Sequence, residues 1–164
     1  MQNPVLILGA SGVIGAAIAR RLSGDGPVIL HGHEGVERLE TLAGEIGGVA
    51  TVRADLCDPG QVSAMFGKLF KDHDSLRGVV FAVASPFPHK LTHKTDWSVF
   101  ETQIQTQLKA LHLSLSAALP LLESHEGTTR VLILSTEYVL GVPPVKIAPY
   151  VAAKAALTAY ARVL

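Results

Sequence analysis

LILGASGVIGAAIARRL, residues 6–22, decides how this chain folds. A run of branched apolar residues gives way to three glycines, Gly9, Gly12 and Gly15, and then to a helix-like stretch containing Ala16, Ala17 and Ala19. Strand, tight turn and helix follow from that order. Glycines in such a turn permit a sharp bend, a close approach of backbone to a bound group, and tight seating of helix on strand. The start of the helix offers unpaired N–H groups to an anion. Gly9, Ser11, Gly12, Val13, Ile14 and Gly15 are therefore expected to hold the pyrophosphate of a nucleotide.

Outward from this turn, short runs rich in Val, Ile and Leu alternate with longer stretches of helical period, the pattern of a parallel sheet covered on both faces. Strands are expected at 4–8, 28–31, 50–53, 78–84 and 130–135, and helices near 13–23, 35–46, 59–71, 96–119 and 150–164. In the fourth helix Trp97, Phe100, Ile104, Leu108, Leu111, Leu115 and Ala118 recur at three- and four-residue steps. Asp96 is placed to cap its start and Pro120 stands just past its expected end. That stripe reads as core or subunit interface. Two longer loops, SPFPHKLTHKT (85–95) and EYVLGVPPVKIAP (137–149), follow the C-terminal ends of strands, where open α/β sheets build their sites.

Composition excludes several alternatives. The chain has 164 residues, 48% of them hydrophobic, with 14 basic against 14 acidic side chains, so no net charge draws it to nucleic acid or an anionic membrane. Cys57 is the one cysteine, and Met1 leads directly into a strand-like run without a basic-then-apolar leader, which together suggest a cytoplasmic protein. Pro120 interrupts the most apolar region, so no membrane span is expected. His89 and His93 are four apart, yet they lie in a loop bracketed by Pro86 and Pro88 without a third ligand beside them, so no metal site is expected.

The second and third strand ends bear on which nucleotide binds. An acidic residue at the tip of the second strand suits a free ribose 2′-hydroxyl, and a basic one a 2′-phosphate. Here His33 occupies the tip and Glu34 follows, a weak lean to NADP over NAD, with a solvent-exposed histidine as the alternative. After the third strand, in RADLCDP, Asp55 is placed to accept from an adenine amino group with Leu56 packed nearby, or else to serve as a turn residue. Asp58 before Pro59 reads as a helix cap.

YVAAKAAL, residues 150–157, sets Tyr150 and Lys154 one helical turn apart on one face. A phenol, ordinarily ionising near pH 10, gives up its proton more readily beside a cation, and so becomes able to exchange it with a carbonyl or alcohol oxygen during hydride transfer. Ala152 and Ala153 leave room for a cofactor against the helix. Upstream, Ser135 and Thr136 offer hydroxyls at the end of the fifth strand for the same substrate oxygen.

With GASGVIG as a glycine turn of Gly-x-x-Gly-x-x-Gly form and YVAAKAAL as a Tyr-x-x-x-Lys segment, the chain resembles the short-chain dehydrogenase/reductase family over its whole length. The resemblance implies a single Rossmann-like α/β domain over 1–164, a doubly wound parallel sheet in the order 3-2-1-4-5. It also implies a reversible NAD(P)-dependent carbonyl reduction on a small-molecule substrate. Tyr150 would be the general acid/base and Lys154 the ribose ligand, and STEYVLG assigns the orienting hydroxyl to Thr136 ahead of Ser135. The family's catalytic Asn falls on Gln107, and its Asn-Asn-Ala-Gly on Ala82, Val83, Ala84 and Ser85, which leaves backbone contacts to the cofactor at Ala82, Val83 and Ala84. The resemblance further implies a homodimer or tetramer. Because members usually carry another strand-helix-strand section after the Tyr helix, roughly 60 to 90 further residues are expected beyond Leu164. Two other functions stay open at this stage: a sugar-nucleotide epimerase or dehydratase, favoured by STEYVLG, and a non-catalytic dinucleotide-binding scaffold, favoured by Gln107 and the lost Asn-Asn.

Overall fold

The computed structural model describes residues 3–47 and 49–164. Its strands are β1 (Val5–Leu8), β2 (Val28–Gly32), β3 (Ala50–Arg53), β4 (Gly78–Phe81) and β5 (Arg130–Ile133). They form one parallel sheet in the order β3-β2-β1-β4-β5, as expected. β1 pairs with β2 from Val5↔Val28 and with β4 from Val5↔Gly78, so the order reverses at β1 and a crevice opens between the ends of β1 and β4. Apolar side chains on the two faces join separate cores. Leu6, Leu8, Val79 and Phe81 pack with Phe66, Leu111 and Leu157, whereas Val5, Ile7, Leu30 and Val80 pack with Ala19, Leu39 and Leu42. Helices on both faces account for strands that are apolar throughout.

The helices are α1 (Val13–Ser23), α2 (Val36–Glu45), α3 (Pro59–Asp72), α4 (Trp97–Ile104), α5 (Ala110–Glu123) and α6 (Ala148–Ala161). Asp58 caps α3 as expected, its carboxylate accepting from Gly60 N at 2.7 Å and Gln61 N at 3.1 Å, with Pro59 in the first turn.

Several boundaries differ from expectation. The single helix at 96–119 is two α-helices joined by a π-helical turn, Gln105–Lys109. Asp96 occupies the N-cap position of α4 without a side-chain cap bond. Pro120 lies inside α5, which continues to Glu123 because Leu121 and Leu122 are buried and Leu121 O accepts from Leu76 N at 2.9 Å. Tertiary burial there outweighs the local cost of a helical proline, about 3 kcal/mol. β4 pairs only as far as Phe81 and β5 as far as Ile133, since β1 has already turned at Gly9. α6 begins two residues before Tyr150 and ends at Ala161, so Leu164 lies outside it.

Candidate active site

The crevice at the β1/β4 ends carries the glycine turn. Gly9 adopts φ +85°, a left-handed conformation that side chains rarely tolerate, and a Cβ there would meet Ala82 O at 2.9 Å. Gly15 is buried under the turn, where a Cβ would stand 2.2 Å from Gly9 O; its role is the seating of helix on strand. Gly12 N-caps α1 without a side-chain cap, which leaves the first N–H groups of the helix free to bind an anion. Such a cradle, closed to any Cβ at Gly9 and Gly15, fits a pyrophosphate.

A groove of about 530 Å³ extends from this turn. Of the residues expected to bind a nucleotide, Gly9, Ser11, Gly12, His33, Asp55, Leu56, Ala82, Val83 and Ala84 line it. Val13 and Ile14 are exposed at the start of α1 and, like Gly15, Tyr150 and Lys154, lie outside its wall. Asp55 spends one carboxylate oxygen on Cys57 N at 2.8 Å, the turn-forming alternative, and still faces the groove. Burial, with the Asp55 carboxylate beside it, pushes the Cys57 thiol up from its ordinary value.

Two residues that line the groove were not among the expected nucleotide ligands and bear on its geometry. His31 is 2% exposed, with Nδ1 accepting from Gly9 N at 3.3 Å and Nε2 donating to Ala54 O at 3.0 Å. The neutral imidazole with its proton on Nε2 satisfies both bonds, and burial lowers its pKa to about 4. It thereby ties the glycine turn to the ends of β2 and β3. Arg38 on α2 donates from Nε to Ser11 O at 3.3 Å and lines the groove near His33 and Glu34. The available signal was a basic residue five positions past His33, beyond the strand tip where a ribose-reading group is expected.

The catalytic candidates lie on α6 and at the end of β5. Lys154 Nζ stands 5.9 Å from the Tyr150 ring centroid and donates to Leu134 O at 2.6 Å. Lys154 is 3% exposed, and this burial draws its pKa down to about 8. Ser135 and Thr136 are distinguished by their partners. Ser135 Oγ is bound to Thr158 Oγ1 at 2.5 Å, and Thr158 donates to Lys154 O at 2.7 Å, so Ser135 is committed to α6. Thr136 Oγ1 accepts only from Tyr138 N, at 3.5 Å, and its proton is unassigned among the described residues.

Gln107, in the π-helical turn, is fully buried. Its Nε2 donates to Gln103 Oε1 at 2.7 Å, while its own Oε1 has no partner among the described residues. Gln103, unread in the sequence, donates to Ser85 Oγ at 2.7 Å, Ser85 O at 3.2 Å and Pro86 O at 3.3 Å, and so braces the start of the loop after β4. Phe87 on that loop stacks on the Tyr150 ring at 4.9 Å, and His89 stacks on Phe87 at 5.3 Å. No group of three or more His, Cys, Asp or Glu among the described residues is placed to hold a metal ion.

Comparison with known proteins agrees with this geometry. The family description Enoyl-(Acyl carrier protein) reductase matches residues 9–164. The chain belongs to the short-chain dehydrogenase/reductase family, a class of Rossmann-fold oxidoreductases. Nodulation protein G of Rhizobium meliloti (strain 1021) is 47% identical over 62 residues, which is 37% of this chain and 25% of that protein. Among solved structures, the oxidoreductase yciK from E. coli superposes with a TM-score of 0.90 at 20% identity, covering 99% of this chain and 68% of that one. A structure described as a short chain dehydrogenase from Escherichia coli CFT073 complexed with NADPH gives 0.91 at 22% identity, covering 99% and 70%. Serine dehydrogenase from Escherichia coli gives 0.86 at 24% identity, covering 98% and 74%. At such identities the superpositions establish the fold.

Proposed function

We propose that this chain forms the nicotinamide-binding and catalytic part of a carbonyl reductase that runs reversibly with alcohol oxidation. The observation that carries this reading is the Tyr150–Lys154 pair, held side by side on α6 with the lysine anchored to Leu134 O at the end of β5, beside a glycine cradle that fits a pyrophosphate. A dihydronicotinamide held in this crevice would supply the hydride for the carbonyl carbon. Tyr150 Oη gives its proton to the carbonyl oxygen, and the Thr136 hydroxyl, donating to nothing else described, holds that oxygen in place. Lys154 would hold the nicotinamide ribose, and its ammonium favours the phenolate left behind. The orphaned Gln107 Oε1 offers an acceptor for a relaying water, and its amide is fixed by Gln103.

On the adenosine side, NADP is favoured over NAD. Arg38 and His33 face the groove together, and a guanidinium matches a 2′-phosphate through paired N–H donors. A homodimer or tetramer through α4, α5 and α6 accords with the exposed Trp97 and Leu119 on the first two, and light scattering tests it. No helix among the described residues is long and apolar enough to cross a membrane.

The decisive experiment is Tyr150→Phe. This variant should bind NADPH with unchanged affinity in a fluorescence titration and lose about a hundredfold or more in turnover across a ketone panel, as removal of a general acid implies. Unchanged turnover excludes the role. Cofactor binding without hydride transfer in the unaltered protein would favour a scaffold.

A further inference from the structure

The two long loops that frame Tyr150 border a second, open cavity of about 360 Å³, lined by Leu91, Thr92 and His93 from the first loop and Pro143, Pro144, Val145 and Lys146 from the second, with Ala148 and Val151 of α6. It shares the first turn of α6 with Tyr150, and the loop segment leading to Leu91 carries the Phe87–His89 stack that covers the tyrosine ring. Its size falls in the range of small-ligand pockets, roughly 300–1,000 Å³.

The chemistry of the lining is asymmetric. Leu91, Pro143, Pro144, Val145, Ala148 and Val151 supply apolar surface, while Lys146 and His93 supply the nitrogen donors. No carboxylate lines the cavity. Among the described cations Arg20 pairs with Glu45 and Arg21 with Asp25, each at 2.6 Å. Neither Lys146 nor His93 has an ion pair or side-chain hydrogen bond among the described residues, nor have Lys90 and Lys94 on the same loop. Lys146 is also the one non-glycine residue described with positive φ, at +74°. For a long side chain that backbone costs on the order of 1 kcal/mol and is retained where the surroundings enforce it.

We propose that this cavity is the subsite for the distal end of the substrate, selecting carbonyl compounds with an apolar body and a terminal carboxylate or phosphate. The inference rests on the carbonyl-reductase function proposed for Tyr150 and Lys154. The apolar body lies on Leu91, Val145 and Val151, and the anion meets Lys146 and His93. A charge-assisted hydrogen bond from a lysine otherwise without a partner suffices for about a tenfold preference over a neutral analogue.

The test uses the natural full-length polypeptide with NADPH bound. In calorimetric titrations octyl phosphate or octanoate should bind at least tenfold more tightly than octanol, and the tighter of the two identifies the anionic group. Lys146→Gly, which accommodates the left-handed backbone while removing the ammonium, should reduce that preference about tenfold, and Lys146→Arg should restore it. In turnover, the ratio of kcat/KM for 7-oxooctanoate over its methyl ester should fall about tenfold in Lys146→Gly. Equal affinity for octanol and both anions overturns the subsite, as does an equal loss on the keto acid and its ester. If a Lys146-dependent anion preference is measured while no carbonyl is reduced, the reductase function fails and the substrate subsite with it, and what remains is an anion-binding cavity. Normal reduction without charge preference removes the subsite and leaves the reductase function in place.

Discussion

β1 and β5 meet the same kind of helix-covered sheet from different positions, and they are built differently. β1 lies between β2 and β4, and its Leu6, Ile7 and Leu8 are fully buried; β5 pairs with β4 alone, and its Val131 and Leu132 are 42% and 50% exposed. The side proposed to hold the nucleotide, which grows from β1, is mostly backbone, a left-handed glycine and helix N–H groups, braced by the buried His31 imidazole. The side proposed to carry the chemistry, which grows from β5, is made of side chains on α6 and two long loops, with Lys154, Thr136 and Phe87 brought from separate segments. Substitution on the first side should therefore damage folding and binding together. On the second it should damage chemistry while leaving the fold intact, as the Tyr150→Phe experiment asks.

The hardest test of this contrast is Gly15→Ala. A methyl 2.2 Å from Gly9 O meets backbone, which has no rotamer to yield, so urea denaturation should show a loss of roughly 3–4 kcal/mol, and NADPH affinity should fall with it. Gly44→Ala on α2, where an added Cβ meets nothing within 4 Å, is the matched control and should be neutral or stabilising by about 0.5–1 kcal/mol. A well-folded, cofactor-binding Gly15→Ala variant would break the comparison.

His31 gives the next largest effect, through pH. In the unfolded chain its imidazole takes up a proton as pH falls through about 6.5, whereas the buried ring in the native state resists until about 4. The unfolded state binds more protons across that window, so the contribution of His31 is complete above pH 6.5, declines as pH falls, and is gone below about 4. The difference corresponds to about 3 kcal/mol. Denaturation at pH 7.5 and 4.5 should reveal it, and His31→Gln, able to donate to Ala54 O and accept from Gly9 N, should flatten that part of the profile. Identical slopes in the two proteins would remove His31 from the account.

Arg38→Ala sharpens the comparison from the other direction, because it alters a side-chain contact on the backbone-built side. NADPH affinity should fall roughly 10- to 50-fold, about 1.5–2.5 kcal/mol, while NADH affinity and stability stay near those of the unaltered chain. Equal losses for the two cofactors would place the guanidinium away from the 2′-phosphate.

Strands, the glycine turn and the Tyr150–Lys154 pair were legible because each depends on residues close in sequence. Apolar runs mark buried strands, positive φ calls for glycine at Gly9, and a four-residue step on a helix juxtaposes side chains wherever that helix docks. Pro120 misled because the burial of Leu121 and Leu122 against a distant core is not written in the local propensity. The engagement of Ser135 turned on Thr158, 23 residues away, and the bracing of the loop after β4 on Gln103, 18 residues from Ser85.

By itself, then, the amino-acid sequence determined the alternating α/β framework, the glycine turn and the pairing of a phenol with an ammonium, since short-range sterics and periodicity govern all three. Tertiary structure alone decided that His31 is a neutral strut, that Arg38 reaches the groove, that Phe87 covers Tyr150, and that Lys146 and His93 share one cavity. The physical reason is that burial and long-range contact, which assign these roles, exist only once distant segments have been brought together.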